Sequence, residues 1–188
     1  MNTWFSSDQH YHHKNILKFT GRPYESVEDM NDAFIEWNNA NVHDLDHVWN
    51  LGDFSFGNTE KTIEILSRLK GQQHLILGNH DKAIFNERKK YLDQGLFKSI
   101  QHYRELRFDN KIKIIMSHYP MRSWDGSNRG SFQLFGHVHG KMPPLGKSVD
   151  VGIDSKWITG KYEGRPFHLD EIVSYMGNRE IVTDYGEE

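Results

Sequence analysis

Five short segments of this chain carry side chains able to hold a metal ion. They are Asp8-Gln9-His10, Gly52-Asp53, Gly78-Asn79-His80-Asp81, His118 within Ser117-His118-Tyr119-Pro120, and Gly136-His137-Val138-His139. Two residues that stand two apart on an extended backbone point to the same side, so Asp8 with His10, and His137 with His139, can each serve one cavity. Gly52, Gly78 and Gly136 each immediately precede a candidate ligand, and a residue without a Cβ lets the chain turn sharply or a ligand approach closely. The candidates are Asp8, His10, Asp53, Asn79, His118, His137 and His139. A tetrahedral zinc takes about four ligands. The larger set, with one carboxylate shared, suits two ions about 4 Å apart, an arrangement that activates water and stabilises phosphoryl transfer. Carboxylate and imidazole without sulfur fit Mn²⁺, Fe, Ni²⁺ or Zn²⁺.

The elements that must position these groups read as an α/β chain. Thr3–Ser6, His47–Leu51 and His74–Leu77 are strand-like, and each lies just before a ligand segment. Between them, Ser26 to Asn41 reads as a helix capped by Ser26, with Met30, Phe34 and Trp37 at helical spacing. Thr59 to Lys70 reads as a second helix, with Gly71 just past its end. Strands alternating with helices imply parallel pairing through crossovers. Ligands collect beyond the carboxyl ends of such strands. The second half is richer in β-structure: Lys111–Met116, Phe132–Phe135 and Ser148–Val151, then a helix over Asp170–Met176 and a final strand over Glu180–Thr183. Trp37, Phe34 and Phe85 fall on helical faces and read as core.

The 188 residues fit one domain, 1–188, with no repeat, linker or low-complexity tract. No apolar run approaches the ~20 residues of a membrane helix. The start, Met1-Asn2-Thr3-Trp4, has no basic stretch followed by an apolar run, so a signal peptide is not expected. Cysteine is absent, which excludes disulfides and thiolate chemistry and allows a reducing cytoplasm, the expected location. A net charge of -3 and scattered basic residues argue weakly against long nucleic acid as the partner. Many of the 12 histidines stand beside Asp, Asn or Gly.

The ordered set Asp-x-His, Gly-Asp, Gly-Asn-His-Asp, His and Gly-His-x-His, from position 8 to 139, resembles the signature of calcineurin-like metallophosphoesterases. With Arg22 on the loop that leaves the first strand, it resembles in particular the small bacterial and phage-encoded members. The resemblance implies a four-layered α/β/β/α sandwich. It implies two divalent ions, with manganese favoured and Fe, Ni or Zn as alternatives. Asp8, His10 and His139 would hold one ion, Asn79, His118 and His137 the other, and Asp53 would bridge both. His80 would act beside the substrate phosphate as donor or general acid, oriented by Asp81, and Asn79 would help stabilise the phosphoryl oxygens. The implied activity is hydrolysis of a phosphoester by a hydroxide bridging the ions.

The short chain shows no cap or DNA-binding module, so a small phosphodiester such as a nucleotide is the expected substrate. A phosphomonoesterase (a nucleotidase or a protein phosphatase), a nuclease and a non-catalytic scaffold of the same fold are the competing readings. Four residues are candidates for substrate contact. Arg22 could clamp a phosphate from above, His13 could line the rim, and Arg122 with Trp124 could form a lid over a base. For each of them a merely structural role competes. Beyond residue 140, Asp150 and Asp154 are placed to support the Gly136–His139 loop.

Overall fold

The computed structural model describes residues 1–109 and 111–182. In chain order the elements are β1 (Thr3–Ser6), α1 (Ile16–Thr20), α2 (Val27–Asn41), β2 (His47–Asn50), α3 (Thr59–Arg68), β3 (Gln72–Ile76), α4 (Lys82–Asn86) and α5 (Arg88–Asp93). There follow β4 (Ser99–Gln101), β5 (Tyr103–Arg107), β6 (Lys113–Ser117), a 3₁₀ turn (Ser127–Arg129), β7 (Phe132–Phe135), β8 (Ser148–Asp150), β9 (Phe167–His168) and α6 (Leu169–Gly177).

The strands form two sheets. The first has the order β4-β3-β2-β1-β9, with β1 to β4 parallel and β9 antiparallel at the edge. The second has the order β5-β6-β7-β8, with β6 to β8 parallel and β5 antiparallel. The crossover helices start as their sequences dictate. Ser26 Oγ accepts the Asp29 N–H at 3.0 Å, and Glu28 and Asp29 put negative charge at the positive end of α2. Asn58 caps α3 in the same way, through the Lys61 N–H.

Alternation along the first sheet divides its side chains between two cores. Leu75 joins Met30, Phe34 and Ile65 on the helical side. Its neighbour Ile76 joins Phe5, Trp49, Ile114, Met116, Leu134 and Val149, so this core draws on both sheets. A buried amide ladder ties the strand ends together. Gln9 donates to Asn50 at 2.6 Å, and Asn50 donates to Gln73 at 3.0 Å.

Two expectations are corrected. Glu180–Val182 is not a strand, and Thr183 lies outside the described residues. Phe85 sits on α4 rather than in a core. It is 38 % exposed, under the Arg88 guanidinium at 4.5 Å, because α4 is too short to turn a whole face inward.

Asp46, buried in the turn before β2, accepts N–H groups from Asn2 (2.6 Å), His43 (3.1 Å) and the Trp4 indole (3.4 Å). Burial opposes its charge, but these donors outweigh burial and hold the carboxyl at about 2. A lowered folded value gives stability that is present above the unfolded value of 3.8 and lost as pH falls toward 2. Asp46→Asn is expected to cost about 2 kcal/mol near neutrality. It should also flatten the acid limb between pH 4 and 2 in urea titrations, and an unchanged limb would contradict this account.

Candidate metal centre

All the ligand candidates lie beyond the carboxyl ends of parallel strands: Asp8 and His10 after β1, Asp53 after β2, Asn79 after β3, His118 after β6, and His137 and His139 after β7. The backbone that carries them is unusual. Asp8, His10, Asp53, His137 and His139 all have positive φ, between 50° and 70°. Non-glycine residues reach that region at a cost of order 1–3 kcal/mol each, and such strain clusters at functional sites. Two glycines make close approach possible. A Cβ on Gly78 would strike the Asp53 carboxylate, and one on Gly136 would strike the Ser7 hydroxyl.

The loops are locked by buried carboxylates. Asp81 takes the N–H groups of Asp53 (2.8 Å), Phe54 (2.9 Å) and Gly78 (2.8 Å), tying the β2 loop to the β3 loop. Asp8 takes the His137 N–H at 2.9 Å, joining the two sheets at their ends. Asp150 takes the N–H groups of Gly140 (2.7 Å) and Gly152 (2.6 Å).

Two groups of three side chains result: Asp8, His10 and His139, and Asp53, His118 and His137. Within each group the candidate ligand atoms lie within 4.8 Å of one another. Asp53 links the groups. Its Oδ2 is 3.7 Å from His10 Nε2 and 3.5 Å from His118 Nε2. Asn79 Oδ1 stands 3.1 Å from His118 Nε2. His80 belongs to neither group. It stands at the mouth, with its side chain 46 % exposed and Nε2 4.0 Å from Asp53 Oδ2.

Ring orientation follows from what each imidazole leans on. His118 Nδ1 donates to the Leu51 carbonyl at 2.7 Å, and His139 Nδ1 donates to Asp154 Oδ2 at 2.7 Å. Each ring is thereby left with Nε2 as the ligating nitrogen. Behind His139 lies Arg22, whose side chain is wholly buried. Its guanidinium bonds both Asp154 oxygens at 2.8 Å and the carbonyls of Asp8 (2.6 Å) and Gln9 (2.8 Å).

The electrostatics fit a cation. Burial, then the charge of Asp150, pushes the Asp8 carboxyl up to about 7. Burial takes His10 down to about 3, so its ring is neutral, and neither of its buried nitrogens has a hydrogen-bond partner among the described residues. Burial also works against charge on His118, but Asp53 and Asp8 outweigh it and raise the ring to about 8. Burial likewise opposes the charge of Asp154, yet Arg22 and His139 hold it at about 2. Buried acids and imidazoles that compete for protons, with orphaned ring nitrogens among them, are a donor set that divalent ions stabilise.

The remaining candidates are placed as follows. The Arg22 guanidinium is turned inward, away from any phosphate, because Asp154 and two carbonyls take its donors. Asp81, expected to orient the His80 ring, instead uses both oxygens on backbone N–H groups. Among the described residues no bond joins it to that ring. His13 stacks on Phe56 at 3.9 Å on the rim, beside His10. Arg122 is exposed, and Trp124 spends its indole N–H on Ser131 within its own loop. Neither has a ring or hydrogen-bond contact with the ligand groups among the described residues. The support role of Asp81 left no signal in the sequence beyond its place after Asn79-His80. That of Asp150 and Asp154 was visible only as two acids after the ligand loop.

Arg22→Leu leaves the buried Asp154 without its guanidinium, with His139 as its remaining charged partner among the described residues. It is expected to cost about 3–5 kcal/mol in urea unfolding. It should also weaken Mn²⁺ binding, followed by calorimetry, by about 10- to 100-fold. Stability within about 0.5 kcal/mol of the parent, a change usual at the surface, with unaltered Mn²⁺ affinity would contradict the support role.

No family model matches the chain. Solved structures share its fold. The protein of unknown function AQ665 from Aquifex aeolicus superposes with a TM-score of 0.68 at 21 % identity, over 92 % of this chain and 98 % of that one. An archaeal protein described as a novel phosphodiesterase superposes with a TM-score of 0.54 at 18 % identity, over 90 % of this chain and 100 % of that one. In sequence, the chain is 32 % identical over 186 residues to the uncharacterised protein MJ1445 of Methanocaldococcus jannaschii, covering 94 % of this chain and 92 % of that protein. An identity of that level along nearly the full length of both proteins places this chain in one family with MJ1445.

Proposed function

We propose that this chain is a binuclear-metal-dependent hydrolase of phosphoesters, most suited to small nucleotide-like phosphodiesters, in a four-layered α/β/β/α sandwich of the calcineurin-like type. The observation that carries the reading is Asp53, whose carboxylate stands between two three-ligand groups. The fold shared with a protein described as a phosphodiesterase supports it. The layered reading rests on the two cores, one between the first sheet and its helices and one shared by both sheets.

Asp8, His10 and His139 would hold one ion, Asn79, His118 and His137 the other, and Asp53 both, with manganese favoured. When bound, such ions supply Lewis-acid stabilisation of phosphoryl oxygens and lower the pKa of bound water. The chain's own groups do the rest. His80 Nε2, beside the mouth, acts as general acid and passes its one proton to the leaving oxygen as the ester P–O bond breaks. The Asn79 amide nitrogen is a donor to the phosphoryl group. Asp81 acts on His80 only by fixing the backbone of the loop, and Arg22 acts by holding Asp154 against His139. Tyr119, 51 % exposed, lies edge-on to His118 at 5.1 Å and to His137 at 4.7 Å and extends the wall on that side. The exposed side chains of His80 and Tyr119 leave room beside the centre for the second substituent of a diester.

Metal-stripped protein should hydrolyse bis-p-nitrophenyl phosphate only after Mn²⁺ is restored, and faster than p-nitrophenyl phosphate. Asp53→Asn should abolish this turnover. His80→Ala should lower kcat by about 100-fold or more on diesters with alkoxide leaving groups, which need a proton, and less on nitrophenyl esters, which do not. A protein that holds two ions but turns over neither ester would defeat the hydrolase reading and favour a scaffold.

A further inference from the structure

An open cleft of about 760 Å³ runs from His139 along the surface, lined by Phe19, Lys141, Lys156, Trp157 and Tyr162. Its size is that of a pocket for a molecule the size of a nucleotide. The metal-centre reading leaves it unused, although one candidate ligand forms its inner end. Two of its aromatic rings are exposed. Phe19, on α1, is 67 % exposed, and Trp157 is 38 % exposed. The Trp157 indole N–H donates to the Gly140 carbonyl at 3.1 Å, which ties the exposed ring to the His139 loop. The aromatic surface is continuous with the mouth of the site. Phe19 meets His13 edge-on at 6.1 Å, His13 stacks on Phe56, and Phe56 lies 4.6 Å from His80.

The exposed charge of the cleft is of one sign. Lys141 and Lys156 are exposed and form no ion pair among the described residues. The carboxylate in the lining, Asp154, is already paired with Arg22 and His139. Planar faces that accept any base by stacking, together with free ammonium groups, are the two elements of nucleotide recognition without sequence readout.

We infer that this cleft is the subsite for the nucleoside part of the substrate. The base lies against Phe19 and Trp157, and Lys141 with Lys156 meets a further phosphate beyond the one held at the metal centre. The substrate class is thus a nucleotide carrying at least two phosphate groups. The inference rests on the hydrolase reading for the identity of the phosphate that reacts, but the binding it requires does not depend on turnover.

Mn²⁺-loaded protein would be titrated calorimetrically with adenosine 5′-(α,β-methylene)diphosphate and with methylenediphosphonate, which keeps the two phosphorus groups and lacks the nucleoside. The nucleotide should bind about tenfold tighter, the worth of one stacked base. Phe19→Ala, a change at an exposed ring, should erase most of that ratio. Lys141→Ala with Lys156→Ala should weaken the nucleotide more than adenosine 5′-monophosphate. Equal binding of the two ligands, binding of neither, or a ratio untouched by Phe19→Ala would overturn the inference. Hydrolysis of bis-p-nitrophenyl phosphate by the same sample separates the two claims. Turnover with no nucleotide preference removes only the subsite, and preference without turnover removes only the hydrolase reading.

Discussion

One carboxylate is the constraint on which the rest depends. Asp53 Oδ2 lies within 4.0 Å of the ring nitrogens of His10, His118 and His80, which arrive from three different loops. Its other oxygen takes the His80 N–H at 2.8 Å. To bring those rings together in a buried space the chain accepts left-handed backbone at five ligand candidates and glycine where a Cβ would collide. Such conformations persist only where the surroundings over-determine them. The over-determination is visible. Asp81 fixes the β2 and β3 loops to one another, Asp8 fixes the β7 loop to the β1 loop, and Arg22 clamps Asp154 while bonding the backbone of Asp8 and Gln9.

This arrangement divides the polar residues by what they touch. His118 and His139 present ligating nitrogens because a carbonyl and a carboxylate hold the opposite nitrogen. The buried pair of Arg22 and Asp154 is costly to desolvate, and its geometry shows the return. The carboxylate has both oxygens bonded to the guanidinium and one bonded to His139, while the guanidinium has its remaining donors on the Asp8 and Gln9 carbonyls and the Met30 sulfur. A pair so satisfied sets a position. That position is the orientation of one imidazole in the centre.

Much of the site was legible before the structure. The ligand groups are short, keep their spacing, and follow strand-like runs, so sequence alone places Asp8, His10, Asp53, His118, His137 and His139 near one another, and the geometry brings these six into two groups. The long helices α2 and α3 were legible through their caps and apolar periodicity. The short elements α1, α4, α5, β4 and β9 were not, because a few residues carry no period and tertiary packing decides their state. Arg22 stood open between a phosphate clamp and a structural role for a related reason. An arginine on a loop beside a phosphate site looks like a clamp, and only the position of Asp154, far along the chain, turns it inward. The same holds for Asp81, which neighbours His80 in sequence yet bonds backbone on the β2 loop and on its own loop.

The most direct test of the shared carboxylate is the electron paramagnetic resonance of protein loaded with Mn²⁺, with the metal content counted by elemental analysis in parallel. The parent protein should hold two ions per chain and show the many-line spectrum of an exchange-coupled pair, and Asp53→Asn should lose the coupling. One ion per chain, or two uncoupled ions whose spectrum is unaffected by Asp53→Asn, would contradict a centre built around that carboxylate.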